Sequence, residues 1–119
     1  CVKSIIIIDH GSRYPAANEA LDKVVDLMRN SCPNLIIEPA HMELAEPTIE
    51  QAYEKCVKNG ATEIIAHPYM LSPGRHAIRD IPNMVAEIAL KYPDIPFEVT
   101  EPLGLDQHII EVIKKRCNV

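Results

Sequence analysis

Four of the five histidines in this chain stand at points where an apolar run gives way to a polar turn or loop. His10 follows Ile5-Ile6-Ile7-Ile8-Asp9. His41 follows a run that opens at Leu35, and His67 follows Ile64-Ile65-Ala66. His76 lies in Ser72-Pro73-Gly74-Arg75-His76. Imidazole titrates near neutrality and is the commonest protein metal ligand, so a histidine at a strand mouth can hold an ion or move a proton. Gly11 and Ser12 leave the ring of His10 uncrowded. His41 and Glu43 have one residue between them, and in an extended stretch both would face one side. With His10 and His76, Glu43 would complete a site of two imidazoles and a carboxylate, a set suited to Zn, Fe, Co or Ni. The plainer readings are a polar residue closing a strand for His10, an exposed loop residue for His76 and a helix-start carboxylate for Glu43. Glu46 fits that last role better. His67, just before Pro68, reads as structural, and His108 as a helix-surface residue.

Arg13, Arg75 and Arg79 lie in the same loops as His10 and His76. Guanidinium forks grip carboxylates or phosphates at two points. The alternative is ion pairing with Asp9, Asp80 or Glu43. A histidine pair beside arginines, in a chain of net charge -5, suggests a ligand that takes a metal and carries several anionic groups. Competing chemistries lack their signatures. There is no GxGxxG or GxxxxGK[ST] phosphate cradle and no GxSxG elbow. Histidine phosphatases place arginine before His-Gly, the reverse of His10-Gly11-Ser12-Arg13. Asp9 has no acidic neighbour, which argues against a receiver-like regulatory domain. Cys32 and Cys56 fall on or near helix faces expected to be core.

The elements that position these residues are legible in the periodicity. Ser4–Ile8 is apolar on both faces, as a central strand covered on both sides must be. Ala17, Leu21, Val24, Val25, Met28 and Cys32 recur at helical spacing, and Pro33-Asn34 closes that segment. Leu35-Ile36-Ile37 begins a second strand, ending near Pro39-Ala40-His41. Pro47 falls where a helix's first turn tolerates proline. Ile49, Ala52, Tyr53, Cys56 and Val57 make the next stripe, ended by Asn59-Gly60. Ile64–Ala66 is the third strand, His67 to Asp80 a long loop, and Ile81 to Tyr92 the third helix. Phe97–Thr100 is the fourth strand, and Leu105 to Arg116 the last helix. The ten prolines are expected in loops or helix starts. Four β-α units predict an α/β three-layer sandwich: a four-stranded parallel sheet with helices on both faces. In such sheets ligands bind beyond the carboxyl ends of the strands. Those are the loops that carry the histidines.

Composition narrows the class further. With 119 residues the chain is expected to form a single domain. Hydrophobic residues at 47% and charged residues at 24% exclude disorder. Twelve basic against 17 acidic residues argue against a nucleic-acid partner. No apolar run approaches the roughly 20 residues needed to span a bilayer, so no membrane partner is expected. The four cysteines form no CxxC pair and read as free thiols in a reducing compartment. The chain opens on Cys1 rather than methionine, so trimming of a start residue, tag or targeting segment is expected.

The motifs together carry a resemblance. Ile8-Asp9-His10-Gly11-Ser12-Arg13, then Glu38-Pro39-Ala40-His41-Met42-Glu43-Leu44-Ala45-Glu46-Pro47-Thr48-Ile49, then Pro73-Gly74-Arg75-His76 with Asp80-Ile81-Pro82, resemble the sirohydrochlorin chelatase family, the short CbiX/SirB type of class II chelatases. The second stretch is most similar to plant and algal siroheme ferrochelatases. The resemblance implies a flavodoxin-like or chelatase-like sandwich over residues 1–119, one half of the two-repeat long form, acting as a homodimer. It implies insertion of Fe2+ or Co2+, with Ni2+ in a related branch, into the octacarboxylate sirohydrochlorin for siroheme or cobalamin synthesis. His10 and His76 would hold the metal and act catalytically, with Glu43 as third ligand. Ser12, Arg13, Gly74 and Arg75 would bind substrate. No cofactor beyond the substrate metal is expected. Plant members carry a cysteine-rich [2Fe-2S] extension, but only Cys117 stands near this C-terminus, so the cluster is expected to be absent, truncated away or completed between subunits. The implied compartment is the cytoplasm, or the plastid stroma after removal of a transit peptide. The alternative is a non-catalytic metal- or tetrapyrrole-binding carrier.

Overall fold

The computed structural model describes residues 2–70 and 75–119, without the side chains of 75–78. The chain alternates strand and helix throughout: β1 (Lys3–Asp9), α1 (Pro15–Ser31), β2 (Ile36–His41), α2 (Ile49–Lys58), β3 (Glu63–Pro68), α3 (Arg75–Ala89), β4 (Phe97–Val99) and α4 (Gln107–Cys117). The strands form one parallel sheet in the order β2-β1-β3-β4. The isoleucine run of β1 explains its central place. Ile6 and Ile8 point into one core with α2 and α3, where Ile49, Tyr53, Cys56, Ile81 and Val85 meet them. Ile7 points to the other face and packs with Leu21 and Val25 of α1 and Ile37 of β2. Burying an isoleucine in this way contributes roughly 1.5–3 kcal/mol.

Helices cover both faces, as the alternation predicts, but unevenly. α1 fills the second layer beside β1 and β2, whereas α4 contributes no buried residue. Val112 and Ile113 on α4 remain about half exposed. The β2 margin is closed by charge. Glu38 is buried, and its Oε2 lies 3.4 Å from both Arg29 of α1 and Lys55 of α2, so the two helix layers are tied around the edge of the sheet. Arg29 also donates through Nε and Nη2 to the Ile37 carbonyl, at 3.1 and 2.8 Å.

Several boundaries differ from the sequence expectation. β2 includes Pro39, which an edge strand tolerates because it can spare one N–H. β3 runs to Pro68. α3 begins at Arg75, so the loop expected up to Asp80 is shorter, and Arg79 and Asp80 are helical. Pro82 therefore sits inside α3 rather than at its start. Pro47 precedes the N-cap, which is Thr48. The chain reverses its direction of travel at β1, going first to β2 and then back across to β3 and β4. The exit loops of β1 and β3 consequently diverge and leave a crevice between them.

Candidate metal centre at the strand exits

The β1 exit is built by continuing the sheet register past the last paired strand residues, Asp9 and His41. Met42 N–H donates to the Asp9 carbonyl at 2.8 Å, and Glu43 N–H donates to the His10 carbonyl at 3.1 Å. These bonds set Glu43 beside His10. Gly11 makes the close approach possible. Its φ is +86°, and a Cβ there would lie 1.8 Å from the Glu43 carbonyl oxygen. Glycine alone meets both demands.

His41 and Glu43 do not share a side. The strand ends at His41 and the chain bends from Met42 on, so the extended geometry that would align them is lost. His41 is 1% exposed and turns inward, where its Nδ1 lies 2.5 Å from Asp9 Oδ1. A carboxylate only accepts, so Nδ1 carries the proton. Glu43 turns out to solvent, as does His10.

Beyond His10, Ser12 N–H donates to Asn18 Oδ1 at 3.0 Å, and Asn18 Nδ2 donates back to the Ser12 carbonyl at 2.8 Å. Ser12 Oγ accepts from Tyr14 N–H. On the β3 side, Tyr69 N–H donates to the Ile8 carbonyl. A cleft of about 490 Å³ opens here, lined by His10, Gly11, Ser12, Asn18, Tyr69 and Met70 among others. Ser12 thus lies in the cleft wall, and Arg13 stands exposed beside it. Among the described residues no carboxylate pairs with Arg13, so the ion pairs considered for it are not formed there.

The backbone of Arg75 and His76 forms the first turn of α3, following the β3 exit, so His76 is a helix-start residue rather than a loop residue. Gly74 lies outside the described residues, as do the side chains of Arg75 and His76. His10, Glu43 and His76 accordingly occupy the exits of three adjacent strands at one edge of the sheet. Among the described residues no three metal-ligating side chains already converge. The remaining histidines keep structural places. His67 shares a register position with Ile7, and its Nδ1 meets Thr100 Oγ1 at 2.8 Å. Burial pushes its pKa down. His108 is exposed and contacts Asp106, the N-cap of α4. Burial pushes the Cys56 thiol up to about 11, which leaves it protonated and unsuited to be a ligand or nucleophile.

Sequence reasoning did not assign Asn18, the Asp9–His41 pair, Tyr69 or Met70 to the site. Only Asn18 left a signal: a poor helix former near the start of an otherwise favourable helical run.

The chain matches the CbiX family over residues 4–118. It is 41% identical over 112 residues to the chloroplastic sirohydrochlorin ferrochelatase of Arabidopsis thaliana, an alignment that covers 94% of this chain and 50% of the relative. It is 30% identical over 140 residues to the sirohydrochlorin cobaltochelatase of Methanocaldococcus jannaschii, covering 98% of each. The solved structure of the sirohydrochlorin chelatase SirB from Bacillus subtilis subspecies spizizenii in complex with cobalt superposes with a TM-score of 0.92 at 32% identity, covering 99% of this chain and 50% of that one. The chain spans about half the length of the Arabidopsis thaliana, Priestia megaterium and Bacillus subtilis relatives it matches. With a family match across nearly its whole length and a shared sheet, the chain belongs to the CbiX family.

Proposed function

We propose that this chain inserts a divalent metal, Fe2+ or Co2+, into sirohydrochlorin, on the way to siroheme or cobalamin. The observation that supports the reading is that Glu43 is held beside His10 where β2 and β1 end, with a crevice lined by His10 opening toward the β3 exit, the strand that α3 and its His76 follow. The names of the relatives support it: sirohydrochlorin ferrochelatases and cobaltochelatases, with a SirB structure that holds cobalt.

The chemistry follows from the residue types. The free macrocycle carries two pyrrole N–H protons. Insertion exchanges them for one M2+, so two protons leave as four nitrogens close on the metal. His10 and His76, with Glu43, present the ion through borderline nitrogen and oxygen donors and release it to the stronger tetradentate ring. The imidazoles then accept the leaving protons. Arg13 and Arg75 grip peripheral carboxylates of the substrate, and Ser12 and the Gly74 backbone orient the ring. The only metal in this scheme is the one being inserted.

The chain works as one chelatase unit over residues 1–119, the equivalent of half a long-form relative, and pairs with a second copy. Light scattering should report twice the 13.3 kDa chain mass. Among the described residues no helix is long and apolar enough to cross a membrane. The compartment is the cytoplasm, or the plastid stroma, in keeping with a plant relative named as chloroplastic.

The test is anaerobic addition of Co2+ or Fe2+ to sirohydrochlorin, followed by the tetrapyrrole spectrum against the uncatalysed rate. His10→Ala and His76→Ala should each slow insertion by about 10²-fold or more, the scale typical of a lost acid–base group. Wild-type rates in both variants would exclude the reading. Saturable binding with no acceleration over the control would identify a carrier instead.

A further inference from the structure

The loop that presents His10 is short of regular structure but not of restraints. Asn18 on α1 and His41 on β2 hold it from opposite sides, and neither was assigned a place in metal or substrate binding above. On the helix side, the Asn18 amide both accepts from and donates to the backbone of Ser12, at 3.0 and 2.8 Å. Only a side chain that carries an acceptor and a donor together can close that ring. On the sheet side, one oxygen, Asp9 Oδ1, accepts from His41 Nδ1 at 2.5 Å and from Gly11 N–H at 3.0 Å. The buried His41 ring thus fixes the carboxylate that in turn fixes the residue after His10. Between these two anchors only His10 and Gly11 remain, and Gly11 is itself pressed against the Glu43 carbonyl.

We propose that Asn18 and His41 are positioning residues that fix the backbone carrying His10, and so the place from which its imidazole reaches the incoming metal. The proposal rests on the metal-insertion reading. Ordering a backbone residue costs conformational entropy, so a ligand on an unrestrained loop would bear that cost at each metal encounter. Restraints built into the fold bear it beforehand. Neither anchor needs to touch the ion.

The test is Co2+ affinity, read from the visible absorption of the bound ion, together with kcat and KM for sirohydrochlorin and amide exchange at Gly11 and Ser12. Asn18→Ala replaces a poor helix former by the best one, which offsets part of the loss of its two hydrogen bonds, so it should still fold. It should nevertheless weaken Co2+ binding and kcat by about tenfold, leave KM little changed and speed Ser12 exchange. His41→Leu should act likewise at Gly11. His41→Asn, whose amide nitrogen can take the place of Nδ1, should recover most of the loss. If His41→Leu does not fold, Asn18→Ala and His41→Asn carry the test. Wild-type Co2+ affinity and kcat in folded Asn18→Ala, or a His41→Asn variant as impaired as a folded His41→Leu, would overturn the proposal. A wild-type chain that binds Co2+ but does not metallate sirohydrochlorin would sink the insertion reading alone, and the Co2+ affinities of the variants would still decide the positioning role.

Discussion

Gly11 shows how tightly a single residue can be specified. Its left-handed φ and its contact with the Glu43 carbonyl act together, so the cost of a side chain combines backbone strain with a clash. Strain of this kind costs about 1–3 kcal/mol before the clash is counted. Gly11→Ala should therefore lower stability by at least about 2 kcal/mol in urea unfolding. It should also displace Glu43 from His10, so metal affinity should fall more than stability alone explains. At this scale the sequence is legible only where a residue's place follows from its own strand. His10 could be found because an unbroken isoleucine run announces where β1 ends. The Asp9–His41 contact could not, because it depends on which residue of β2 lies opposite Asp9, and register is a tertiary property. Likewise, His41 and Glu43 would face one side only in an extended stretch, and the strand ends at His41 with the chain bending from Met42 on.

The helices divide into those whose ends are signalled and those whose ends are not. α2 opens on a complete capping box: Thr48 Oγ1 accepts from Gln51 N–H, and Gln51 Oε1 accepts from Thr48 N–H. Thr48→Ala should cost about 1 kcal/mol, seen as a lower urea midpoint at unchanged slope. The Asn59-Gly60 ending is equally readable, with Gly60 at φ +90°. α3 is different. Pro82 invites a helix start at Ile81, since proline is at home in a first turn. The helix instead begins at Arg75 and carries Pro82 inside it at the loss of one backbone hydrogen bond. The consequence for the site is direct, because His76 moves from a loop to the first turn of a helix.

For the molecule as a whole, the β-α alternation was enough to anticipate a parallel sheet with helices on both faces, and the sheet order was not. Which strand becomes central depends on both faces being covered, and β1 meets that condition most fully. Global stability should carry the mark of His67. Thr100 Oγ1 donates to the Glu101 carbonyl and so accepts from His67 Nδ1, which assigns the neutral ring its Nδ1–H form. Burial lowers the His67 pKa below the ordinary value of 6.5. The unfolded chain therefore takes up the proton first on acidification. The contribution is fully present above about pH 6.5 and is lost as pH falls through the interval down to the folded value. His67→Asn should flatten the stability–pH curve in that interval, measured by urea unfolding at a series of pH values. An unchanged slope would exclude His67 as its source.

The Arg29–Glu38–Lys55 closure of β2 has a further consequence. A strand margin with one carbonyl already claimed by a guanidinium, and with Pro39 in place of an N–H donor, offers few free groups to a foreign chain. The opposite margin is only three residues long, with Pro96 before it and Pro102 shortly after. Both sides of the sheet are thereby poor templates for the edge-to-edge addition of a foreign strand.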